Sequence, residues 1–191
     1  GLSGLDSYMA ESAFKAGRYS EGQKYMHFAY EDLREALTHP EWPSMKNPVF
    51  LAQMFSGFNK YGGSDLTVKL AENPDVLSDS TQDGWIGAQV YYLEALIETD
   101  QLSKADMIYR RLNSQVQKDK PNGLSYMARI AAAKVRNAFA HNYDDQKLKS
   151  VVKDISSLLL PDNFDAFMDC LKPLMSGSHA QENFDRLIGA M

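Results

Sequence analysis

The stretch AFKAGRYSEGQKYMHFAYEDLREAL, from Ala13 to Leu37, contains a Gly-Arg-Tyr interruption between two segments whose apolar residues have helical spacing. Gly17 belongs to the residue type that most readily adopts the left-handed conformation that ends a helix. Ser20 and Gln23 have the spacing of a capping box, so we expect the next helix to begin at Ser20. Two helices joined by so short a turn run antiparallel, as a hairpin.

Helix-breaking positions recur along the chain at nearly constant intervals, roughly 44, 39 and 41 residues apart, a period typical of helical-hairpin repeats. They lie near Tyr19, Gly63, Leu102 and Tyr143. A single hairpin cannot bury both of its faces, so we expect neighbouring hairpins to stack on a shared core. No run of residues shows the alternation of a strand. The sequence therefore predicts an all-α protein of eight to ten helices, arranged as stacked antiparallel hairpins.

We interpret residues 1–191 as one domain of four hairpins followed by C-terminal capping helices. The hairpins span about residues 5–37, 47–72, 84–118 and 123–160, and the capping helices span about residues 162–190. Asn47 and Pro48 form a good N-cap and first helical position for the second hairpin. Gly62 and Gly63 are expected to separate its two helices. Lys118 to Gly123 is expected to be a turn, because it contains both Pro and Gly.

Small residues in the first hairpin stand where its two helices are expected to cross. They are Ala10, Gly22 and Ala29; Gly17 and Tyr19 occupy the turn, and Met26 is a large apolar residue on the second helix. In this pattern the segment Ser7–Leu33 resembles a tetratricopeptide repeat. The third pair matches less well, at Leu102, Ala105 and Tyr109. The resemblance implies a right-handed superhelix that binds its ligands on a concave surface lined by the first helix of each pair. A non-repeat helical bundle is the alternative.

The composition is that of a soluble globular protein, with 44% hydrophobic and 24% charged residues. No apolar run approaches the roughly 18 residues of a membrane span. A formal net charge of −5 argues against general nucleic-acid binding.

Cys170 is the single cysteine, which excludes an intrachain disulfide and a cysteine-rich zinc site. We interpret Gly1 as an expression remnant or a processed end, so a removed signal or lipid anchor would leave no trace, and both cytoplasm and periplasm stay open.

No catalytic motif is present: the sequence contains no GxSxG, no P-loop and no HExxH. His27 and Glu31 lie four apart on a helix and could touch one metal ion, but no third ligand lies nearby. We therefore expect no catalytic residue, no metal and no cofactor. The alternative is an all-α enzyme or small-ligand binder whose pocket is assembled from distant helices.

The expected function is that of a non-enzymatic adaptor for a protein or peptide partner. By the resemblance, the first helix of the first pair brings Tyr8, Glu11 and Lys15 to the groove. Arg129 and Arg136 occupy the first helix of the fourth pair. They lie seven residues apart and so share a helix face. We expect both arginines to be exposed, to contribute to binding and to contribute little to stability.

Three further features of the sequence bear on partner binding and on helix packing. Trp42 stands between two prolines in the loop from Thr38 to Pro48, where it is either a contact residue or a cover for the adjoining core. The apolar last helix caps the stack within the chain or across a homodimer. Gly22 is expected to be kept small by a close crossing against Ala10, so that Gly22→Ala is neutral and Gly22→Leu overpacks the crossing.

Overall fold

The computed structural model describes residues 2–39, 41, 47–73, 76, 85–118 and 120–191. Within these residues it contains ten α-helices and no strand, so the predicted all-α class and helix number are confirmed. In chain order the helices are α1 Leu2–Lys15, α2 Tyr19–Thr38, α3 Pro48–Lys60, α4 Ser64–Ala71, α5 Ile86–Glu98, α6 Leu102–Lys118, α7 Lys120–Ala140, α8 Asp145–Ile155, α9 Phe164–Cys170 and α10 Ala180–Ala190. None of the helices in the described ranges is long and apolar enough to cross a membrane.

The chain divides into two compact units, Gly1–Ala95 and Leu96–Met191, and the boundary lies within α5. In the first unit, α1 packs along α2 and also contacts α3, while α3 packs against α4. In the second unit, α7 contacts α6, α8 and α9, and α10 packs on α8. The interpretation of residues 1–191 as one domain stays a prediction.

The four predicted helix breaks are turns with one common backbone design. Each contains a single residue with positive φ, namely Gly17 at 73°, Gly62 at 82°, Asp100 at 60° and Asn142 at 52°. The N–H of this residue donates to the carbonyl three residues back, and the next N–H donates to the carbonyl five residues back. This is the Schellman pattern, which satisfies carbonyls that the end of a helix leaves without partners. The hairpin turns were therefore correctly located from the sequence.

Gly62→Ala is expected to lower the free energy of unfolding by about 1 kcal/mol, because an L side chain is strained in the left-handed region. Urea denaturation would measure the change. Gly189→Ala in α10 is the matched control, since a Cβ there meets no heavy atom within 4 Å and its φ is not positive. A Gly62→Ala variant as stable as this control would contradict the assigned turn geometry.

Of the two helix starts predicted from capping residues, one is confirmed and one is wrong. Asn47 does cap α3, because its side-chain oxygen accepts from Val49 N at 2.9 Å and Phe50 N at 3.4 Å. The predicted capping box at Ser20 is wrong: α2 begins at Tyr19, and its capping position, Arg18, makes no side-chain cap. The reason is that the tight turn leads directly into the next helix, so Ser20 is already helical.

Two predicted boundaries also differ from the structure. The turn expected from Lys118 to Gly123 is wrong, because α7 already begins at Lys120. Pro121 fits there, since the first turn of a helix does not use its N–H groups. The helix expected to reach Leu160 ends as α8 at Ile155 and continues as short 3-10 turns. Most of the Thr38 to Pro48 loop, including Trp42, lies outside the described residues.

The first hairpin buries the small residues that carried the resemblance, but the neighbour of Gly22 is different. Ala10, Met26 and Ala29 are all buried. A Cβ placed on Gly22 would lie 2.8 Å from Cδ1 and Cε1 of the Phe14 ring. The atoms nearest to Gly22 therefore belong to the Phe14 ring of α1 and not, as expected, to Ala10.

Candidate functional site

A pocket of about 310 Å³ opens between α1 and α3 in the first unit, and we call it the α1/α3 pocket. Its volume lies at the lower end of the range of about 300–1,000 Å³ found for ligand pockets. Its lining has an apolar part, a neutral polar part, a charged and aromatic part, and one glycine. The apolar residues are Ala10, Met26 and Phe58, and the neutral polar residues are Ser7, Gln53 and Ser56. The charged and aromatic residues are Glu11, Lys60 and Tyr61, and the glycine is Gly57.

Gly57 lines this pocket, and its lack of a side chain leaves a gap in the lining. It lies in α3, one turn before the end of the helix, and a Cβ placed on it would meet no heavy atom of the described residues within 4 Å. Packing therefore does not require a glycine here, in contrast to Gly22 beside the Phe14 ring. A helical glycine costs roughly 0.5–1 kcal/mol relative to alanine. The gap is thus an open space that a larger side chain at this position would occupy.

The charges at this pocket are arranged around one carboxylate. Lys15 Nζ lies 3.0 Å from Glu11 Oε1, and Lys60 Nζ lies 3.9 Å from the same oxygen. The Lys15 ammonium lowers the pKa of the Glu11 carboxyl, and Lys60 acts in the same direction. Glu11 is therefore ionised at neutral pH, and the three groups together carry one net positive charge.

Aromatic and polar contacts hold the two sides of the pocket in place. The Phe14 ring of α1 stacks on Tyr61, with centroids 4.4 Å apart and an interplanar angle of 7°. Asn59 of α3 donates from Nδ2 to the Tyr91 carbonyl at 2.8 Å and accepts from Thr67 Oγ1 at 2.8 Å. These contacts fix α3 against α1, α4 and α5 within the first unit.

Of the three residues predicted in the first pair, only Glu11 lines this pocket. Lys15 reaches it through the ion pair with Glu11, and Tyr8 is 67% exposed outside the lining. Sequence reasoning missed the α3 side, including Gly57 and Lys60. The available signal was a glycine in the interior of a helix, where it does not end the helix.

Arg136 is not the freely exposed residue that the sequence predicted. Its side chain is only 16% exposed, and Nη2 lies 3.1 Å from Glu98 Oε1. Arg129 is also partly buried. The reason is that α7 contacts three other helices, which leaves little of its surface to solvent. The role of these arginines in partner binding stays a prediction, but their removal is no longer expected to leave stability unchanged.

A polar cluster joins α6, α7 and α8 in the second unit, and we call it the Asp106 cluster. Asp106 Oδ1 accepts from Lys134 Nζ at 2.7 Å and from Asn137 Nδ2 at 3.0 Å. Lys134 Nζ also lies 4.7 Å from the Tyr109 ring centroid, and the Tyr109 hydroxyl donates to Asp154 Oδ2 at 2.9 Å. Burial raises the pKa of the Tyr109 phenol, and Asp154 adds to the effect. The neutral phenol is a hydrogen-bond donor that ties α6 to α8.

No protein-family model, curated protein or solved structure matches this chain.

Proposed function

We propose that the chain is a non-enzymatic adaptor that holds a peptide segment of a partner protein in the α1/α3 pocket. The observation that carries this proposal is the open space beside Gly57 in α3. A Cβ at this position would meet no heavy atom of the described residues within 4 Å, so packing does not require a glycine there. A partner side chain that enters the gap would contact the buried surfaces of Ala10, Met26 and Phe58.

The wider architecture that we propose is a tetratricopeptide-like superhelix. The four turns of common design support it, because each closes a pair of consecutive helices in the same way. In such a superhelix the first helices of the pairs line the binding surface. The α1/α3 pocket lies between the first helices of the first two pairs, which is where the resemblance implies that ligands bind.

The lining favours a particular class of partner side chain. The apolar floor suits an aliphatic or aromatic stem, and Ser7, Gln53 and Ser56 offer hydrogen bonds to a polar tip. Lys15, Lys60 and Glu11 together carry one net positive charge, which favours an acidic residue next to the inserted side chain. We therefore expect the recognised segment to combine one large anchor residue with a neighbouring Asp or Glu.

Gly57→Leu is expected to weaken peptide binding at least tenfold without lowering the melting temperature, because leucine would fill open space. Peptides selected from a displayed random library on the full chain would supply the ligands, and calorimetric titration would measure their affinity. Gly189→Leu is the matched control, because it introduces the same side chain into open space on α10.

Binding that is equal in Gly57→Leu, in the Gly189→Leu control and in the unsubstituted chain would contradict the proposal. The charge argument has its own test. Affinity should fall as ionic strength rises, because salt screens Lys15 and Lys60 at the surface. A salt-independent affinity would remove the acidic neighbour from the expected segment but leave the anchor residue in place.

A further inference from the structure

A second, larger pocket of about 520 Å³ lies entirely within the second unit, and we call it the arginine pocket. It is formed by the C-terminal part of α7, the start and middle of α10, and the segment between α9 and α10. Its apolar wall includes Phe139, Pro173 and Leu174, and two guanidinium groups, those of Arg136 and Arg186, also line it. The inference drawn from it does not depend on the function proposed for the α1/α3 pocket.

Both guanidinium groups are held by acceptors that do not line the pocket. Arg136 Nη2 lies 3.1 Å from Glu98 Oε1, and Arg186 Nε lies 3.1 Å from Asp145 Oδ1. Arg186 Nη2 also donates to the Tyr143 carbonyl. Neither Glu98 nor Asp145 is among the described residues that line the pocket. An arginine has five N–H donors, so each guanidinium keeps donors beyond those that position it.

The depth of the charged groups favours an anion inside this pocket. The side chains of Arg136 and Arg186 are 16% and 29% exposed, whereas their carboxylate partners Glu98 and Asp145 are 36% and 75% exposed, so water screens the carboxylates more than the guanidinium groups. The described lining also contains His179 and Glu182, whose side chains are largely exposed and whose Nδ1 and Oε2 atoms lie 3.3 Å apart. Arg136 and Arg186 thus carry the least exposed of the charged groups described at this pocket, and the lower dielectric around them strengthens attraction to an anion.

The same pocket offers an apolar surface beside the guanidinium groups. The Arg186 guanidinium carbon lies 5.4 Å from the centroid of the Phe139 ring, so the cation is held over the ring face. Ile97, Pro173 and Leu174 add aliphatic surface to the lining. A ligand that fills this pocket would thus present an anionic group to the arginines and an apolar body to the wall.

We propose that the arginine pocket binds a small amphipathic oxyanion, either a carboxylate or a phosphate monoester that carries an apolar body. The planar guanidinium fork matches both headgroups, because each presents paired oxygens at the spacing of two parallel N–H donors. The volume of the arginine pocket lies within the range of about 300–1,000 Å³ typical of small-molecule pockets. This ligand class differs from the peptide segment assigned to the first unit.

Titration calorimetry of the full chain with octanoate, octyl phosphate and octanol tests the proposal. Both oxyanions should bind saturably, and octanol, which has the same apolar body without charge, should bind at least tenfold more weakly. The tighter of the two oxyanions identifies the headgroup class. Absence of saturable binding by both, or octanol binding as tightly as the better oxyanion, would overturn the proposal.

Two variants locate the binding. Ala140→Trp should reduce oxyanion affinity at least tenfold, because Ala140 is an exposed residue of the lining and the indole would fill the pocket. Arg136→Lys keeps the charge but loses the planar fork, and should also reduce affinity at least tenfold. Arg111→Ala, an exposed arginine on α6 outside the lining, is the control and should bind normally. Unchanged affinity in a folded Ala140→Trp variant would contradict this site, even if Arg136→Lys fails to fold.

Discussion

Asp106→Ala is expected to lower the free energy of unfolding by about 3 kcal/mol, the lower end of the range for removing one partner from a buried ion pair, because this pair is partly buried. The side chains of Lys134 and Asp106 are only 13% and 20% exposed, and their charged atoms lie 2.7 Å apart. The substitution would leave the Lys134 ammonium without its carboxylate and would remove the acceptor of Asn137. Urea denaturation at neutral pH would measure the loss.

Asp65→Ala is the matched control for this prediction. The Asp65 carboxylate lies 2.9 Å from Lys69 Nζ, but both side chains are more than half exposed. Its removal should therefore change the free energy of unfolding by less than about 0.5 kcal/mol. A double variant, Asp106→Ala with Lys134→Met, should recover much of the stability, because no unpaired charge remains buried. Equal stability of the Asp106→Ala and Asp65→Ala variants would show that the Asp106 cluster is solvated.

Gly22→Leu is expected to lower the free energy of unfolding by about 3 kcal/mol, at the upper end of the range for overpacking. The Phe14 ring cannot easily move away, because it is buried and stacked on Tyr61. Gly22→Ala should also destabilise, by about 1 kcal/mol, since its Cβ would lie 2.8 Å from two ring atoms. This replaces the neutral outcome expected from the sequence. Thermal and urea denaturation would measure both variants.

Gly57→Ala is the control for Gly22→Ala, because it is expected to raise the free energy of unfolding whereas Gly22→Ala is expected to lower it. The same substitution within a helix, but into open space, should raise the free energy of unfolding by roughly 0.5–1 kcal/mol. A Gly22→Ala variant that gains as much stability as Gly57→Ala would show that the Phe14 ring does not restrict this position.

The helices and their turns could be predicted because their signals are local. Gly17 and Gly62 are residues that favour the left-handed conformation, and each stands where a run of helical spacing ends. Asp100 and Asn142 adopt the same conformation, which Asp and Asn tolerate better than most residue types. The start of α2 was missed because the turn geometry, rather than the capping serine Ser20, determines where that helix begins.

The pockets could not be predicted because they depend on contacts between distant residues. Gly57 is adjacent to Glu11 only because α3 packs on α1, and no local pattern contains that contact. Arg136 has a polar side chain, which favours exposure, but it pairs with Glu98, 38 residues earlier in the chain. The identity of the partner could not be predicted either, because the periodicity of apolar residues describes how helices pack and not what they bind.

Amide chemical-shift mapping by NMR, with a library-selected peptide added to the full chain, tests binding at the α1/α3 pocket most directly. The proposal predicts that the largest shift changes cluster on the residues that line the pocket, above all Glu11, Ser56, Gly57 and Lys60. At the same peptide concentration, the shift changes of Glu11, Ser56 and Lys60 should be much smaller in the Gly57→Leu variant. Largest changes outside α1 and α3, with these four amides unmoved, would contradict the proposal and place the peptide-binding surface elsewhere in the chain.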